Sequence, residues 1–181
     1  MNDIISARVN ALAESETLAM ARRSRELEAQ GLSIIKLNIG EPDFQTPDHI
    51  KQAAKDAIDA GFSFYTPVSG TLELRQAIAE KLQRDNGLKW KAENIVVSTG
   101  AKQSIANILL TLLNPEDEVI VFTPYWVSYS EIIKLAEGKA VLIAGDPAND
   151  FKVTAEQVSQ AITPKTRAIL YSAPCNPTGA T

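Results

Sequence analysis

Cysteine, histidine and any surplus of positive charge are scarce in this sequence, and each scarcity closes off a class of function. A single cysteine, Cys175, in 181 residues cannot form a disulfide within the chain, and it suits a reducing compartment. His49 is the one histidine, so His and Cys together fall short of the ligand set of a structural zinc site. A net charge of -4 with no basic cluster argues against a nucleic-acid partner. No apolar run approaches the length of a membrane span. Near the N-terminus, Asp3 and Arg8 stand among scattered apolar residues, with no signal-peptide core or cleavage site. A cytoplasmic protein with no membrane partner is the expectation. Internal repeats and low-complexity segments are lacking too.

What is present is ordinary globular material. Apolar residues make up 45% and charged residues 22%, enough for one domain with a real core or for part of a larger one. Residues 1–33 read as a helical arm, with Thr17 as a cap, a helix through Glu28 and Gly31 as its stop. Ile35, Leu37 and Ile39 alternate with polar residues and predict a short half-buried strand. Gly40 follows, where backbone can approach a ligand closely. Thr46 and Pro47 predict the start of a helix whose apolar stripe is Ile50, Ala53, Ala54, Ala57 and Ile58, closed by Gly61. His49 falls early in it and is expected to be exposed. After an aromatic loop, Phe62 to Gly70, the residues Leu74, Ala77, Ile78 and Leu82 mark another helix.

The stretch from Ile95 to Asn107 carries the clearest chemistry. Ile95, Val96 and Val97 predict a buried parallel strand, and Gly100 breaks it. Ile105, Ile108, Leu109 and Leu112 then recur at helical spacing, so a helix starts close to Gly100. A strand turning through glycine into a helix leaves N–H groups without intrahelical acceptors at the positive end of the helix dipole, which favours an anion such as a phosphate. Lys102 adds charge there. An ordinary βα turn of an open sheet has the same pattern. A P-loop is excluded, because no glycine precedes Gly100 at the required spacing and no Ser or Thr follows Lys102.

From Ile95 onward strands and helices alternate, the signature of a parallel α/β sheet. Strands are expected near 95–99, 118–123, 139–143 and 168–172. Tyr129, Ile132, Ile133 and Ala136 form one helix face between them. Thr154 and Gln157 form a capping box for another helix, which buries Val158, Ala161 and Ile162. The last strand leads into a loop with no covering helix after it, so the chain reads as the front part of something longer.

In open α/β sheets, ligands sit outside the carboxyl ends of the strands. The loops there read STGAK from Ser98, TPYW from Thr123 and CNPTG from Cys175. Together with NIGEPDF at Asn38 to Phe44, FYTPVSG followed by LRQAIAEK, and PYWVSYSE, they resemble the fold-type I aminotransferases that use pyridoxal 5'-phosphate (PLP), in the bacterial aspartate aminotransferase branch. The resemblance covers essentially the whole chain, in the family's order and spacing. It implies a three-layer, mostly parallel large domain, incomplete, with residues 1–45 as arm and small-domain contribution and 46–181 as the N-terminal part of the PLP-binding domain.

The same resemblance implies roles for particular residues. The backbone amides of Gly100, Ala101 and Lys102 hold the cofactor phosphate. Trp126 stacks on the cofactor ring, and Asn176 donates its side-chain amide to the cofactor's phenolic oxygen. Trp126 and Asn176 also border the substrate, and Gly40 lies beside the substrate's α-carboxylate. Tyr65 reaches across a homodimer interface to the partner's cofactor phosphate. On their residues alone, Trp126 is a half-buried Trp after a turn and Asn176 a turn former before Pro177. Cys175 reads as a bystander. Cis peptides are implied at Thr123-Pro124 and Asn176-Pro177.

In the family, the lysine that forms the Schiff base, the acidic partner of the ring nitrogen and the carboxylate-binding arginines lie beyond the NPTG loop, so no catalytic residue is assigned here. The resemblance thus implies an enzyme moving an amino group between an amino acid, with aspartate first, and a 2-oxo acid such as 2-oxoglutarate. The 181-residue piece alone is expected to be inactive, to aggregate or to stay partly molten, with the 95–99 strand unpaired. The alternative is a truncated, non-catalytic remnant acting as a binding module.

Overall fold

Three β-branched residues, Val119, Ile120 and Val121, have no exposed surface and form the middle of strand β1 (Glu118–Thr123). In the computed structural model, which describes residues 4–38 and 40–181, β1 is flanked by β2 (Lys139–Ala144) and β3 (Thr166–Leu170). The order is β2-β1-β3 and both pairings are parallel, with Val119 opposite Ala140 and Ala168. A central parallel strand is covered on both faces, which is why β1 reads as an unbroken apolar run.

Helices α1 (Ala7–Asn10), α2 (Glu16–Ala29), α3 (Asp48–Asp59), α4 (Leu72–Asn86) and α5 (Ala101–Leu112) precede the sheet, and α6 (Ser128–Leu135) and α7 (Ala155–Ala161) connect its strands. One core cluster joins Leu109 of α5, Tyr129, Ile132 and Ile133 of α6, and Ala136 to Val119 and Val121. The β1-to-β2 crossover moves one way along the sheet and the β2-to-β3 crossover moves back past β1. Right-handed connections then put α6 and α7 on opposite faces, which is the three-layer arrangement expected from the alternation. The capping box forms as expected, with Thr154 Oγ1 accepting from the Gln157 N–H (3.2 Å) and Gln157 Oε1 accepting from the Thr154 N–H (2.8 Å).

At the amino ends of β1 and β3, Asp117 is buried and fully engaged. Its Oδ2 accepts the Asn114 N–H (2.8 Å) and its Oδ1 accepts Arg167 Nε (3.1 Å). This carboxylate closes the α5-to-β1 turn and ties it to β3.

The chain divides into two compact units, Met1–Asn38 with Gly100–Thr181, and Ile39–Thr99. The sheet belongs to the first. In the second, α3 and α4 are joined by the aromatic loop, and a 3-10 turn (Ala92–Asn94) follows α4. The end of the loop is well defined. Gly70 has φ +94°, and a Cβ there would stand 2.7 Å from Val97 Cγ2. Arg75 donates through Nε to the Gly70 carbonyl (3.1 Å) and through Nη1 to the Ala92 carbonyl (3.0 Å).

Several expectations are corrected. Ile35 and Leu37 are exposed and belong to no strand; Ile39, the third residue of that pattern, lies outside the described residues. Residues 95–98 carry no strand either; the Val97 N–H donates to the Ser69 carbonyl (3.0 Å) rather than to a sheet neighbour. Alternation or an apolar run names a face, while a strand also needs a partner. The stripe of α3 is likewise uncovered, with Ile50 and Ile58 exposed. On α5 the buried side runs through Ile105, Leu109 and Leu113, leaving Ile108 and Leu112 exposed. Ile162 is exposed and Val158 only half-buried. Strand β3 begins two residues earlier than expected. Helix α2 starts at Glu16 with Ser15, not Thr17, in the cap position, and α3 starts at Asp48 with Pro47 in that position.

Candidate functional site

Gly100 occupies the N-cap of α5 with φ +83° and ψ 161°, and no side chain caps this helix. That backbone region is essentially restricted to glycine. A Cβ built on Gly100 would meet nothing within 4 Å, so the space in front of the first turn is open. The Gly100 carbonyl accepts the N–H groups of Gln103 (3.1 Å) and Ser104 (3.3 Å). The N–H groups of Ala101 and Lys102 fall at positions that have no acceptor within a helix.

The Lys102 side chain turns back over Trp126, with Nζ 4.8 Å from the ring centroid, close enough for a cation–π attraction. Trp126 is half-buried and held edge-on against the Tyr129 ring, centroids 5.6 Å apart at 88°. Tyr129 is itself part of the core, so the indole is braced by the β1–α6 framework. Lys102 and Trp126 line a cavity of about 710 Å³ with Thr123, Tyr125, Ser130 and Glu131. Its other wall is the segment Ala13–Leu18, the turn after α1 and the start of α2. No feature of the sequence pointed to this wall; it joins α6 through Glu131, whose Oε2 accepts the Ala13 N–H (2.9 Å) from 118 positions away. Burial works to raise the Glu131 pKa, but the Lys134 ammonium and the Ala13 N–H outweigh it, and the net shift is downward.

A second cavity, about 290 Å³, opens at the carboxyl ends of β1 and β3, between Phe122, Tyr125, Phe151 and Tyr171. The loops after these strands are tied together by Cys175, whose thiol donates to the Pro124 carbonyl (3.3 Å). The loop from Cys175 to Ala180 closes on itself through Cys175 N–H to the Ala180 carbonyl and Gly179 N–H to the Cys175 carbonyl, both 2.7 Å. Cys175 is therefore a structural contact between the loops. Asn176 donates its N–H to Ser172 Oγ (3.1 Å); its side chain is exposed and lines neither cavity. Thr123-Pro124 and Asn176-Pro177 are both cis, as the resemblance implied, and Ala173-Pro174 is cis as well.

The structure thus brings Gly100, Ala101, Lys102 and Trp126 together in the first unit, and sets Asn176 on a neighbouring strand's loop. Tyr65 and Gly40 belong to the second unit, and both are exposed. Tyr65 stands in the loop that Gly70 and Arg75 close. His49 is exposed on α3, as expected. Among the described residues no cluster of acidic, His or Cys side chains is suited to a metal.

A parallel α/β unit thus carries a glycine-started helix beside an aromatic side chain at the carboxyl end of β1, the side on which ligands sit in open α/β sheets. Comparison with known proteins supplies the class. The family model for aminotransferase class I and II matches residues 33–181, and the chain belongs to that family, whose members use PLP. The aspartate aminotransferase of Rhizobium meliloti is 47% identical over 175 residues, which are 97% of this chain and 43% of that protein. The aspartate/prephenate aminotransferase of Cereibacter sphaeroides is 51% identical over 166 residues, 92% of this chain and 42% of that one. Among solved structures, the R. meliloti aspartate aminotransferase superposes with a TM-score of 0.93. The Thermus thermophilus aspartate aminotransferase with maleate gives 0.94 at 44% identity, covering all of this chain and 47% of that one. The fold is the N-terminal part of the PLP-dependent aminotransferase fold, and the chain spans less than half the length of these relatives.

The residues present fit the cofactor. An open, uncapped helix start beside an ammonium suits a phosphate, and an indole beside it suits a planar ring.

Proposed function

We propose that this chain forms the phosphate-and-ring half of the site of a PLP-dependent aminotransferase, which moves an amino group between aspartate and a 2-oxo acid such as 2-oxoglutarate. The observation that carries the reading is that Lys102 and Trp126 meet on one cavity wall, with Lys102 in the first turn of the helix that Gly100 caps. The N–H groups of Gly100, Ala101 and Lys102 bind the phosphate, and the Lys102 ammonium adds charge complementarity. Trp126 lies against the ring face and keeps water from it. Asn176 donates its side-chain amide to the phenolic oxygen and so favours its deprotonated form. Gly40 leaves room for the substrate's α-carboxylate.

When bound, PLP supplies an electron sink for the bond broken at the substrate's α-carbon. The lysine that would act as base there is not among these residues; Lys102 serves the phosphate. Tyr65 belongs to the site of a second copy, so a homodimer is the working assembly. Residues 46–181 are the N-terminal part of the large PLP-binding domain, with residues 1–45 as arm and small-domain contribution. A cytoplasmic setting suits a chain with one free thiol; no described helix is long and apolar enough to cross a membrane.

The test compares PLP with pyridoxal, which lacks the phosphate, by quenching of Trp126 fluorescence in a Trp90→Phe background. The expected result is binding at least about tenfold tighter for PLP, the effect of charge-assisted phosphate contacts. Inorganic phosphate should compete, and Gly100→Ala should remove most of the difference, since it puts a strained residue at the cradle. Equal quenching by the two ligands, unaffected by Gly100→Ala, would overturn the assignment.

A further inference from the structure

The cavity beside Lys102 and Trp126 has one wall that belongs to neither the sheet nor its crossover helices. Ala13–Leu18 joins the turn after α1 to the first turn of α2 and contributes no residue to the core cluster. Something must hold it against α6. Arg8 and Glu137 approach at 4.0 Å with both side chains about half exposed, an ion pair of little strength. Arg22 pairs with Glu14 at 2.8 Å, which stiffens the turn into α2 but stays within the arm.

The strong tie is at Glu131. Tyr129, Ile132 and Ile133 fix α6 in the core, and Glu131 projects from the same helix into the cavity wall. Its Oε2 accepts the Ala13 N–H at 2.9 Å. Its Oε1 accepts from Lys134 Nζ at 2.8 Å, with Ser130 Oγ at 3.5 Å. A carboxylate held from one side by a neighbouring ammonium has its second oxygen aimed at a single backbone donor. A charged acceptor makes a stronger bond than a neutral one.

We propose that Glu131 is a positioning residue for the cofactor-side cavity: its carboxylate clamps the Ala13 amide and thereby sets the segment Ala13–Leu18 as the cavity's second wall. The inference rests on the reading of this cavity as the cofactor site, yet the clamp itself exists without the cofactor. Glu131 touches no reacting atom in this account. It acts through the segment it holds.

Hydrogen exchange of the backbone amides of residues 13–18 in the full chain, without PLP, tests the clamp directly. Glu131→Ala should speed exchange at Ala13 and its neighbours about tenfold, as expected for loss of a charge-assisted hydrogen bond. Protection of β1 should stay unchanged. Glu131→Gln keeps an acceptor oxygen and should restore most of the protection, which a purely electrostatic role would not produce; Ala13→Pro, which keeps the Glu131 side chain, separates the hydrogen bond from packing. Ala13→Pro removes the donor and leaves the carboxylate alone; it should reproduce the faster exchange at the following amides if Glu131→Ala proves too unstable to measure. The proposal is overturned if exchange at 13–18 is the same in wild type, Glu131→Ala and Ala13→Pro, or if Glu131→Gln is as fast as Glu131→Ala. PLP affinity is read separately, as a several-fold weakening in Glu131→Ala. Failure of the wild type to bind PLP would reject the cofactor reading while leaving the exchange result to decide the clamp.

Discussion

Asp117 shows how one buried carboxylate links local structure to pH. The Asn114 N–H lowers its pKa most; burial opposes this, and Arg167 adds to the lowering. A group whose folded pKa is depressed contributes stability above its unfolded value, about 3.9 for Asp, and loses that contribution as pH falls through the folded value. Asp117→Asn should therefore be less stable at pH 7. In urea titrations between pH 7 and pH 2, its stability should also fall less steeply on the acid side than the wild type's. Parallel acid limbs for the two proteins would show that Asp117 is not a source of the acid sensitivity. Nothing in the sequence separated Asp117 from the other acidic residues, because its partner Arg167 is 50 positions away. Gly100 was legible, since a break between an apolar run and a helical pattern is a local signal. Glu131 was not, since its bond to Ala13 depends on how the arm lies against α6.

At the level of elements, sequence periodicity succeeded where the partner is in the chain. All four residues of the α6 stripe, Tyr129, Ile132, Ile133 and Ala136, are buried, and β1 and β2 lie where the apolar runs placed them. The patterns at 35–39, on α3 and at 95–99 had the same character, and the described structure gives them no strand partner or buried face. On α5, apolar residues on more than one side left the inward face ambiguous until Leu113 was seen against the core. Ile133, fully buried between α5 and the sheet, is the sharpest probe of this packing. Ile133→Ala should cost about 2–5 kcal/mol through lost burial and the cavity left behind, read as a drop in the urea midpoint with unchanged slope. A cost below about 0.5 kcal/mol, the usual range for surface substitutions, would mean that α6 is not docked as described.

At the scale of the molecule, the structure is a parallel sheet with β2 and β3 as its edges, and both edges expose apolar residues, Leu142 and Ile169 among them. Phe44, Phe62, Phe64, Tyr65 and Val68 are exposed in the second unit. Apolar surface of this extent is characteristic of faces that meet other protein, and the relatives are more than twice as long as this chain. The motif stretches made the family legible, and two of them, TPYW and CNPTG, lie at the carboxyl ends of β1 and β3. Half of the proposed site could be read in this way, the half assigned to phosphate and ring. On the function proposed above, these 181 residues would hold the cofactor without supplying the lysine that reacts with it. The direct measurement is to incubate the chain with PLP, reduce with borohydride and map modified lysines by mass spectrometry, with aspartate and 2-oxoglutarate added in parallel. The expected result is reversible binding, no stoichiometric adduct at any one lysine, and no amino transfer. A stoichiometric adduct at one defined lysine, together with amino transfer from aspartate, would contradict it.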